Sequence, residues 1–390
     1  MIIFLDNSIA DSIKNDKKLD EIDSCLAILA NEFIRGSHIL IGDRQTILEI
    51  IFQDKILSDR EKKVYIEIYN SLTSMANLIN FCSVYMEVTT EVEKNELRQE
   101  NSTAVLSIPV KEISLKRFAN DHYLLCENNT DCNFYEKVFL YYVLKHPQLN
   151  NIFRFSGEKR GGGGSTVFKE YQQIQNEGQR FCLCFLDSDQ EYPARYNNGK
   201  RNYGKTAKDV ISIDDQNEIN TQYYILPVRE MENLIPIFFL QENIDTTDNR
   251  YKGVKIIESL INNNCLEGLS FFDFKHGIKG FQILDCGNKV NENPFSTFWL
   301  DVTNKIGICP RCEINCDSNK EKKSCNYKVL QGIGDKVMEE FILWMEDTEN
   351  IRKINKNING YNRIIWDEIS KILFSWFCGL QPSKMFGNPD

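Results

Sequence analysis

An apolar run that ends in two aspartates constrains this chain more than any other feature. Residues 181–186 read Phe-Cys-Leu-Cys-Phe-Leu and are followed by Asp187 and, one residue later, Asp189. A short, continuous apolar run is typical of a strand buried on both faces of a sheet, and function in open α/β sheets gathers at the carboxyl ends of such strands. Residues i and i+2 of an extended chain point the same way. Both carboxylates can therefore face one divalent cation, whose preferred ligands are oxygens; a turn that closes the strand is the alternative.

Two further apolar runs also end in acidic residues. Residues 122–126 precede Glu127, and residues 223–228 come shortly before Glu230 and Glu232. If the three strands are neighbours in a parallel sheet, their acids can converge on one metal site, because the carboxyl ends of parallel strands lie at the same edge. The sequence therefore predicts an acidic centre built from three separate segments.

The order of these segments resembles the Toprim fold of topoisomerases, primases and OLD-type nucleases. In that family a Glu follows the first strand, a glycine-containing segment comes next, and an Asp-x-Asp motif follows a later strand. The corresponding residues are Glu127, Gly161–Gly164, and Asp187 with Asp189. The resemblance covers roughly residues 116 to 285.

The match is closest to the OLD-like branch found in bacterial anti-phage systems, including the PARIS type. In that branch an acidic residue shortly after the first Glu and a downstream Glu-Asn-Leu element recur, and here Asp131 and Glu232-Asn233-Leu234 fill these positions. OLD-like nucleases also use a lysine to steady the charge on a scissile phosphate, and Lys275 is the candidate. Its alternative is an ordinary surface lysine in a turn.

The resemblance implies a Mg2+- or Mn2+-dependent endonuclease that acts on DNA or on structured RNA such as tRNA, as a toxic effector in anti-phage defence. The implied catalytic residues are Glu127, Asp187, Asp189 and Lys275, and the implied metal ligands are Glu127, Asp131, Asp187, Asp189 and Glu232. Such nucleases work with an ABC-type ATPase. Since this chain has no P-loop, an ATPase partner in trans is implied, and a homodimer is left open. The alternatives are a non-catalytic Toprim docking subunit and a primase or topoisomerase-type Toprim enzyme.

The glycine run at residues 161–164 permits positive φ angles and close approach to a phosphate. Together with Ser165 it also reads as a common engineered linker. Residues on either side of the run predict a continuous strand, loop and helix, which favours a native loop.

A basic segment follows Asp189 directly. Between Lys145 and Lys208 the chain carries 11 Lys and Arg against six Asp and Glu, although the whole chain has a net charge of −10. The densest part mixes cations with tyrosines, a composition able to hold phosphates and stack bases. The predicted nucleic-acid-binding residues are Arg195, Lys200, Arg201, Lys205 and Lys208. The alternative is a solvated loop whose charge serves only solubility.

Composition favours a cytoplasmic protein that does not enter a membrane. No apolar stretch approaches the roughly 20 residues that a bilayer requires, and the first residues do not read as a signal peptide. The 13 cysteines are an odd number and several lie within apolar strands, which favours reduced core thiols over a disulfide framework.

A cysteine cluster near the end of the chain predicts a structural Zn2+ site. Its candidate ligands are Cys309, Cys312, Cys316 and Cys325, in a polar stretch too small to build its own core. Unligated reduced thiols and disulfides are the alternatives.

The 390-residue chain is long enough for two or three domains. We predict an N-terminal α/β domain over 1–115, a Toprim catalytic domain with a parallel sheet core over 116–300, and the cysteine cluster with C-terminal helices over 301–390. In the N-terminal domain, Asp6 at the end of a strand and Glu49 on a helix suggest a PIN-type nuclease weakly, and a structural or partner-binding role is favoured. Local patterns also predict an aromatic strand near 269–272 and helices over 329–345 and 364–377.

Overall fold

The computed structural model describes residues 1–53, 56–75, 77–149, 152–164, 166–216, 218–284, 290–310, 327–358 and 360–381. They form a mixed α/β fold with a parallel sheet core, which confirms the fold class at that level. The chain divides into two compact units: unit 1 contains Met1–Phe185, Ile213–Tyr224 and the described chain from Asp367 onward, and unit 2 contains Leu186–Ser212 and Ile225–Trp366. The predicted boundaries after residues 115 and 300 stay predictions.

The strands are short, and most of them are buried. They are β1 (Ile2–Leu5), β2 (Ile39–Gly42), β3 (Val84–Thr89), β4 (Glu96–Glu100), β5 (Thr103–Pro109), β6 (His122–Cys126), β7 (Phe153–Phe155), β8 (Gly157–Gly161), β9 (Cys182–Leu186), β10 (Thr221–Ile225), β11 (Gly277–Lys279), β12 (Lys328–Gln331) and β13 (Cys378–Leu380).

The helices occupy most of the remaining described chain. They are α1 (Asn7–Lys14), α2 (Leu19–Arg35), α3 (Arg44–Phe52), α4 (Asp59–Met75), α5 (Val110–Leu115), α6 (Asn129–Lys145), α7 (Val167–Glu177), α8 (Lys205–Ile213), α9 (Ile237–Asn243), α10 (Tyr251–Asn262), α11 (Leu266–Phe271), α12 (Gly280–Ile283), α13 (Pro294–Lys305), α14 (Val337–Trp344), α15 (Thr348–Asn357) and α16 (Gly360–Phe377). None of the described helices combines the length and apolar character that crossing a membrane requires.

Two sheets organise unit 1. The first has the order β2-β1-β3-β5-β4, in which β1, β2, β3 and β5 run parallel and β4 is an antiparallel edge. The second has the order β10-β9-β6-β8. In it β6 pairs in parallel with β8 and with β9, in the register Leu124↔Leu183 for the latter pair. Strands β6 and β9, which precede Glu127 and Asp187, are therefore neighbours.

Complete burial explains why β6 and β9 read as continuous apolar runs. Every residue of both strands is buried, since helices must cover both faces of a parallel sheet. The prediction of two strands ending in acid is confirmed at these positions. Strand β10 ends at Ile225, three residues before the end of the predicted apolar run.

Unit 2 is mainly helical, with β11 and β12 as an antiparallel pair. Two local predictions fail in it. Residues 269–271 belong to helix α11 rather than to a strand, because a short apolar run has no periodicity that separates the two. The helix predicted over 329–345 is strand β12 followed by helix α14, and Gly332 and Gly334 lie between them. The helix predicted over 364–377 is confirmed within α16.

Candidate metal centre

Asp187 and Asp189 follow β9 and are partly buried in unit 2. Oδ1 of Asp187 accepts a hydrogen bond from the backbone N–H of Met231 at 3.0 Å, so this carboxylate caps the 3-10 helix Met231–Leu234. Asp189 has a φ of 51°, in the left-handed region, and its N–H donates to the carbonyl of Arg229 at 2.8 Å. Non-glycine residues adopt this conformation rarely, so the turn holds Asp189 in an orientation that a regular strand would not give.

Gly204, in the basic segment, packs against the turn that contains Asp189. Its N–H donates to the carbonyl of Ser188 at 2.8 Å, and a Cβ at position 204 would collide with the side chain of Asp189. The space beside Asp189 therefore accepts only a glycine.

Glu230 and Glu232 flank the start of the same 3-10 helix and both contact Lys275. The ammonium of Lys275 lies 3.3 Å from Oε2 of Glu230 and 3.1 Å from Oε1 of Glu232. Glu232 is 4% exposed, and its other oxygen, Oε2, is buried with no hydrogen-bond partner among the described residues. A buried carboxylate oxygen without a partner is energetically costly, so this atom is placed to receive a cation or a proton.

Burial and neighbouring charges both shift the pKa values of this group of side chains. Burial raises the pKa of Glu232, and Lys275 opposes that rise. Burial would lower the pKa of Lys275, but Glu232 and Glu230 outweigh it and the pKa lies above its usual value. Burial, followed by repulsion from Glu230, raises the pKa of Asp189. These pKa shifts indicate that the ammonium of Lys275 neutralises the buried carboxylates around it only in part.

Arg229 and Asp273 belong to the same cluster and were missed by the sequence reasoning. The guanidinium of Arg229 lies 3.1 Å from Oδ2 of Asp273 and 3.0 Å from Oε1 of Glu230. Its side chain is 15% exposed. In the sequence, the only sign of these ion pairs was the opposite charge of the adjacent residues Arg229 and Glu230. That sign does not identify the distant partner Asp273.

Replacing Lys275 with Met is expected to lower the free energy of unfolding at pH 8 by about 2 kcal/mol. This is less than the ~3–5 kcal/mol for breaking a fully buried pair, because the Lys275 side chain is 30% exposed. A carboxyl whose folded-state pKa is raised costs stability as the pH rises above its unfolded value, so the loss should shrink at pH 5.

Denaturant unfolding at both pH values checks this prediction. The control is Lys255→Met, which breaks an exposed surface pair with Glu258 and should leave the free energy of unfolding nearly unchanged at both pH values. An equal loss for Lys275→Met at pH 5 and pH 8 would show that Lys275 does not neutralise Glu232.

Glu127 and Asp131 belong to unit 1. Glu127 directly follows β6, is partly buried, and its carbonyl accepts from the N–H of Gly164 at 2.8 Å. Asp131 forms a capping box at the start of α6, where its Oδ2 accepts from the N–H of Asn128 at 3.2 Å. The structure thus gives Asp131 a structural role, beside which its predicted metal-binding role stays a prediction.

The glycine run is a folded part of unit 1. The N–H of Gly162 donates to the carbonyl of Cys126 at 2.8 Å, and Gly163 and Gly164 have φ angles of 72° and 66°. A Cβ at Gly162 would overlap Val167. The predicted strand, loop and helix are confirmed as β8 and α7 with this loop between them, and the loop lies against the carboxyl end of β6.

The predicted nucleic-acid-binding residues fall into two groups. Arg195 is paired with Glu267, and the hydroxyl of the adjacent Tyr196 donates to Asp301 at 2.9 Å. The other four cations are exposed and have no carboxylate partner within ion-pair distance among the described residues: Lys200, Arg201, Lys205 and Lys208. These four cations are therefore accessible at the surface, whereas Arg195 ties the loop to helix α11 within unit 2.

Within the described ranges, no group of three or more His, Cys, Asp or Glu side chains is arranged to hold a metal ion. The donor chemistry nonetheless suits Mg2+ or Mn2+, since the cluster offers carboxylate oxygens and one of them, Oε2 of Glu232, is buried without a partner. Of the predicted Zn2+ ligands, Cys309 is exposed, and Cys312, Cys316 and Cys325 lie outside the described residues.

In the first sheet, Asp6 caps α1 by accepting from the N–H of Ser8 at 2.9 Å, and Glu49 lies 3.4 Å from the ammonium of Lys14. Both acids therefore have local structural partners, and a PIN-type function for this region stays a prediction. No family model, no curated protein and no solved structure significantly matches the chain.

Proposed function

We propose that this protein is a Mg2+- or Mn2+-dependent nuclease of the Toprim type that hydrolyses phosphodiester bonds in DNA or structured RNA. The observation that carries the proposal is the order of the second sheet, in which β6, β9 and β10 are consecutive neighbours. Each of these strands leads into acidic residues: Glu127, Asp187 with Asp189, and Glu230 with Glu232. Carboxyl ends of neighbouring parallel strands are where α/β enzymes place their ligands.

Asp187, Asp189 and Glu232 of unit 2 would hold the cation. The metal-binding roles of Glu127 and Asp131 stay what the family resemblance implies. A bound Mg2+ or Mn2+ supplies activation of water and stabilisation of the charge on the scissile phosphate. Lys275 adds a fixed cation near Glu232, where it can oppose developing negative charge. Arg229 holds Glu230 and Asp273 in place through an ion pair with each of them.

The resemblance to the anti-phage branch extends the proposal to a toxic effector that acts with an ABC-type ATPase in trans. Cytoplasmic location and a structural Zn2+ site at the C-terminal cysteines belong to the same proposal.

One observation favours a second candidate function, a non-catalytic docking subunit. Lys275 lies within 3.3 Å of both Glu230 and Glu232, and an ammonium between two carboxylates supplies part of the neutralisation that a cation would supply. A degenerate site could keep this ion pair for stability alone.

Two measurements on the purified chain separate the candidates. Titration with Mn2+, followed by calorimetry, should show saturable binding that Mg2+ competes for and that Asp187→Asn weakens. Incubation with plasmid DNA and with total tRNA should give cleavage with Mg2+ or Mn2+ and none with EDTA. A folded chain that binds no Mn2+ and cuts neither substrate would contradict the nuclease proposal and favour the docking subunit.

Replacing Lys200, Arg201 and Lys205 together with Ala is expected to weaken nucleic-acid binding and its salt dependence. Each lost phosphate contact removes about 0.7–0.9 of the slope of log K against log salt, so the slope should fall by about 2 to 3. Fluorescence anisotropy with a labelled duplex and a labelled hairpin RNA at several salt concentrations measures it.

The matched control is Lys252, Lys336 and Lys353 replaced together with Ala, which removes three cations of unit 2 outside the loop. This control should keep the parent slope. Equal slopes for the loop variant and the parent would show that the loop is a solvated surface.

A further inference from the structure

A pocket in unit 1 lies beside the carboxyl end of β2, and none of its lining residues belongs to the acidic cluster or to the basic segment. It has a volume of about 320 Å³, and its walls come from β1, β2, the start of α3, α4 and the 3-10 turn Leu78–Phe81. The residues that carry its chemistry are Phe4, Asp43, Arg44 and Tyr69. The volume is at the small end of the range for ligand pockets, about 300–1,000 Å³, so it suits a mononucleotide-sized molecule and not a larger cofactor.

The walls combine aromatic surface with one cation. Ile41, Leu72, Met75 and Ile79 supply aliphatic surface around the rings of Phe4 and Tyr69. The guanidinium of Arg44 lies over the Tyr69 ring at 4.9 Å, and its Nε donates to the Tyr69 hydroxyl at 2.8 Å. These contacts orient the guanidinium at the pocket without neutralising it.

Arg44 and Asp43 both keep their charge available to a ligand. Among the described residues no carboxylate lies within ion-pair distance of Arg44, and Asp43 makes no side-chain capping bond although it precedes α3. Both side chains are exposed at the pocket. A guanidinium with unused donors binds phosphate oxygens well, and a carboxylate accepts hydrogen bonds from hydroxyl or amino groups.

We propose that this pocket binds a nucleoside monophosphate. The planar base would lie on the apolar and aromatic surface, Arg44 would bind the phosphate, and Asp43 would accept hydrogen bonds from ribose hydroxyls or from the base. A nucleotide offers a planar aromatic body, a phosphate and hydrogen-bond donors within this volume. The site is separate from the acidic cluster, so the proposal does not depend on nuclease activity.

Isothermal titration of the full chain with AMP, GMP, CMP and UMP tests the proposal. At least one of the four should bind saturably, and the matching nucleoside, inorganic phosphate and ribose 5-phosphate should each bind at least about 10-fold more weakly. Loss of one charge-assisted hydrogen bond corresponds to about 10-fold or more in affinity. Arg44→Gln should therefore reduce the affinity by about 10-fold or more.

Three variants serve as controls, and Tyr69→Ala is a second test of the pocket. Arg60→Gln removes an exposed arginine of α4 that does not line the pocket, and it should bind like the parent. Tyr69→Phe keeps the ring and should retain most of the affinity, whereas Tyr69→Ala should lose it. The triple loop variant at Lys200, Arg201 and Lys205 should bind the mononucleotide like the parent, which excludes the proposed nucleic-acid surface as its site.

Three results would overturn the proposal. The first is that the folded protein binds none of the four nucleotides saturably. The second is that neither Arg44→Gln nor Tyr69→Ala changes the affinity for the nucleotide. The third is that inorganic phosphate binds as tightly as the nucleotide. If the nucleotide binds but the chain neither cuts nucleic acid nor binds Mn2+, the pocket stands and the nuclease proposal falls.

Discussion

Replacing Asp187 with Asn is expected to reduce metal-dependent cleavage by about a thousandfold or more, because it removes a charged ligand from the centre of the proposed site. Asn keeps an oxygen that can accept the hydrogen bond from Met231 N–H, so the 3-10 helix should stay capped. Asp187→Ala would also lose this cap, at a cost of about 1 kcal/mol in the free energy of unfolding. Single-turnover cleavage with saturating Mn2+, together with denaturant unfolding of each variant, measures both effects.

Glu339→Gln is the matched control, since Glu339 is an exposed acid of α14 in the same unit. It should cut at the parent rate. Parent-level cleavage by folded Asp187→Asn would remove Asp187 from the active site and with it the assignment of the Asp-x-Asp motif.

Stability is expected to fall steeply below pH 6.5 because of two buried histidines in unit 1. His38 is 1% exposed and His122 is not exposed at all, and their ring centroids lie 5.0 Å apart. Burial lowers the pKa of both well below the usual range. The unfolded chain takes up a proton at each histidine below about pH 6.5, whereas the folded chain does not, so stability is lost as the pH falls.

The loss should approach about 2.7 kcal/mol per pH unit when both histidines of the unfolded chain are protonated, since each proton contributes about 1.36 kcal/mol per unit. His122→Phe should remove about half of the histidine contribution. Neither ring nitrogen of His122 has a hydrogen-bond partner among the described residues, and the ring packs against Phe181 and Trp376. The variant should therefore be as stable as the parent, or more stable, at pH 8.

Denaturant unfolding from pH 5 to pH 8 measures the slopes. His276→Gln is the control, because the His276 side chain is 67% exposed, and its slope should equal that of the parent. If His122→Phe has the parent slope, His122 takes up its proton in the folded state and is not a source of acid sensitivity.

Local patterns in the sequence predicted the parts of the fold that bury continuous or periodic apolar surface. The limits of β6 were predicted to the residue, and those of β9 to within one residue. The strand predicted at 269–272 was wrong because an apolar run of six residues or fewer is compatible with a helix as well as with a strand. The capping role of Asp131 was visible in principle, since Asn128 three residues earlier completes a capping-box pattern.

The sequence by itself determined which acids end which strands, because strand burial and strand ends are local properties of the chain. The sequence also identified the position of the basic segment after Asp189. Only the tertiary structure decided which charges meet. Arg229 pairs with Asp273, 44 residues away, and Arg195 with Glu267, 72 residues away. Ion pairs form wherever folding brings opposite charges together, and no local periodicity records that distance. Only the structure therefore separates the cations that are held in ion pairs from the exposed cations that have no carboxylate partner among the described residues.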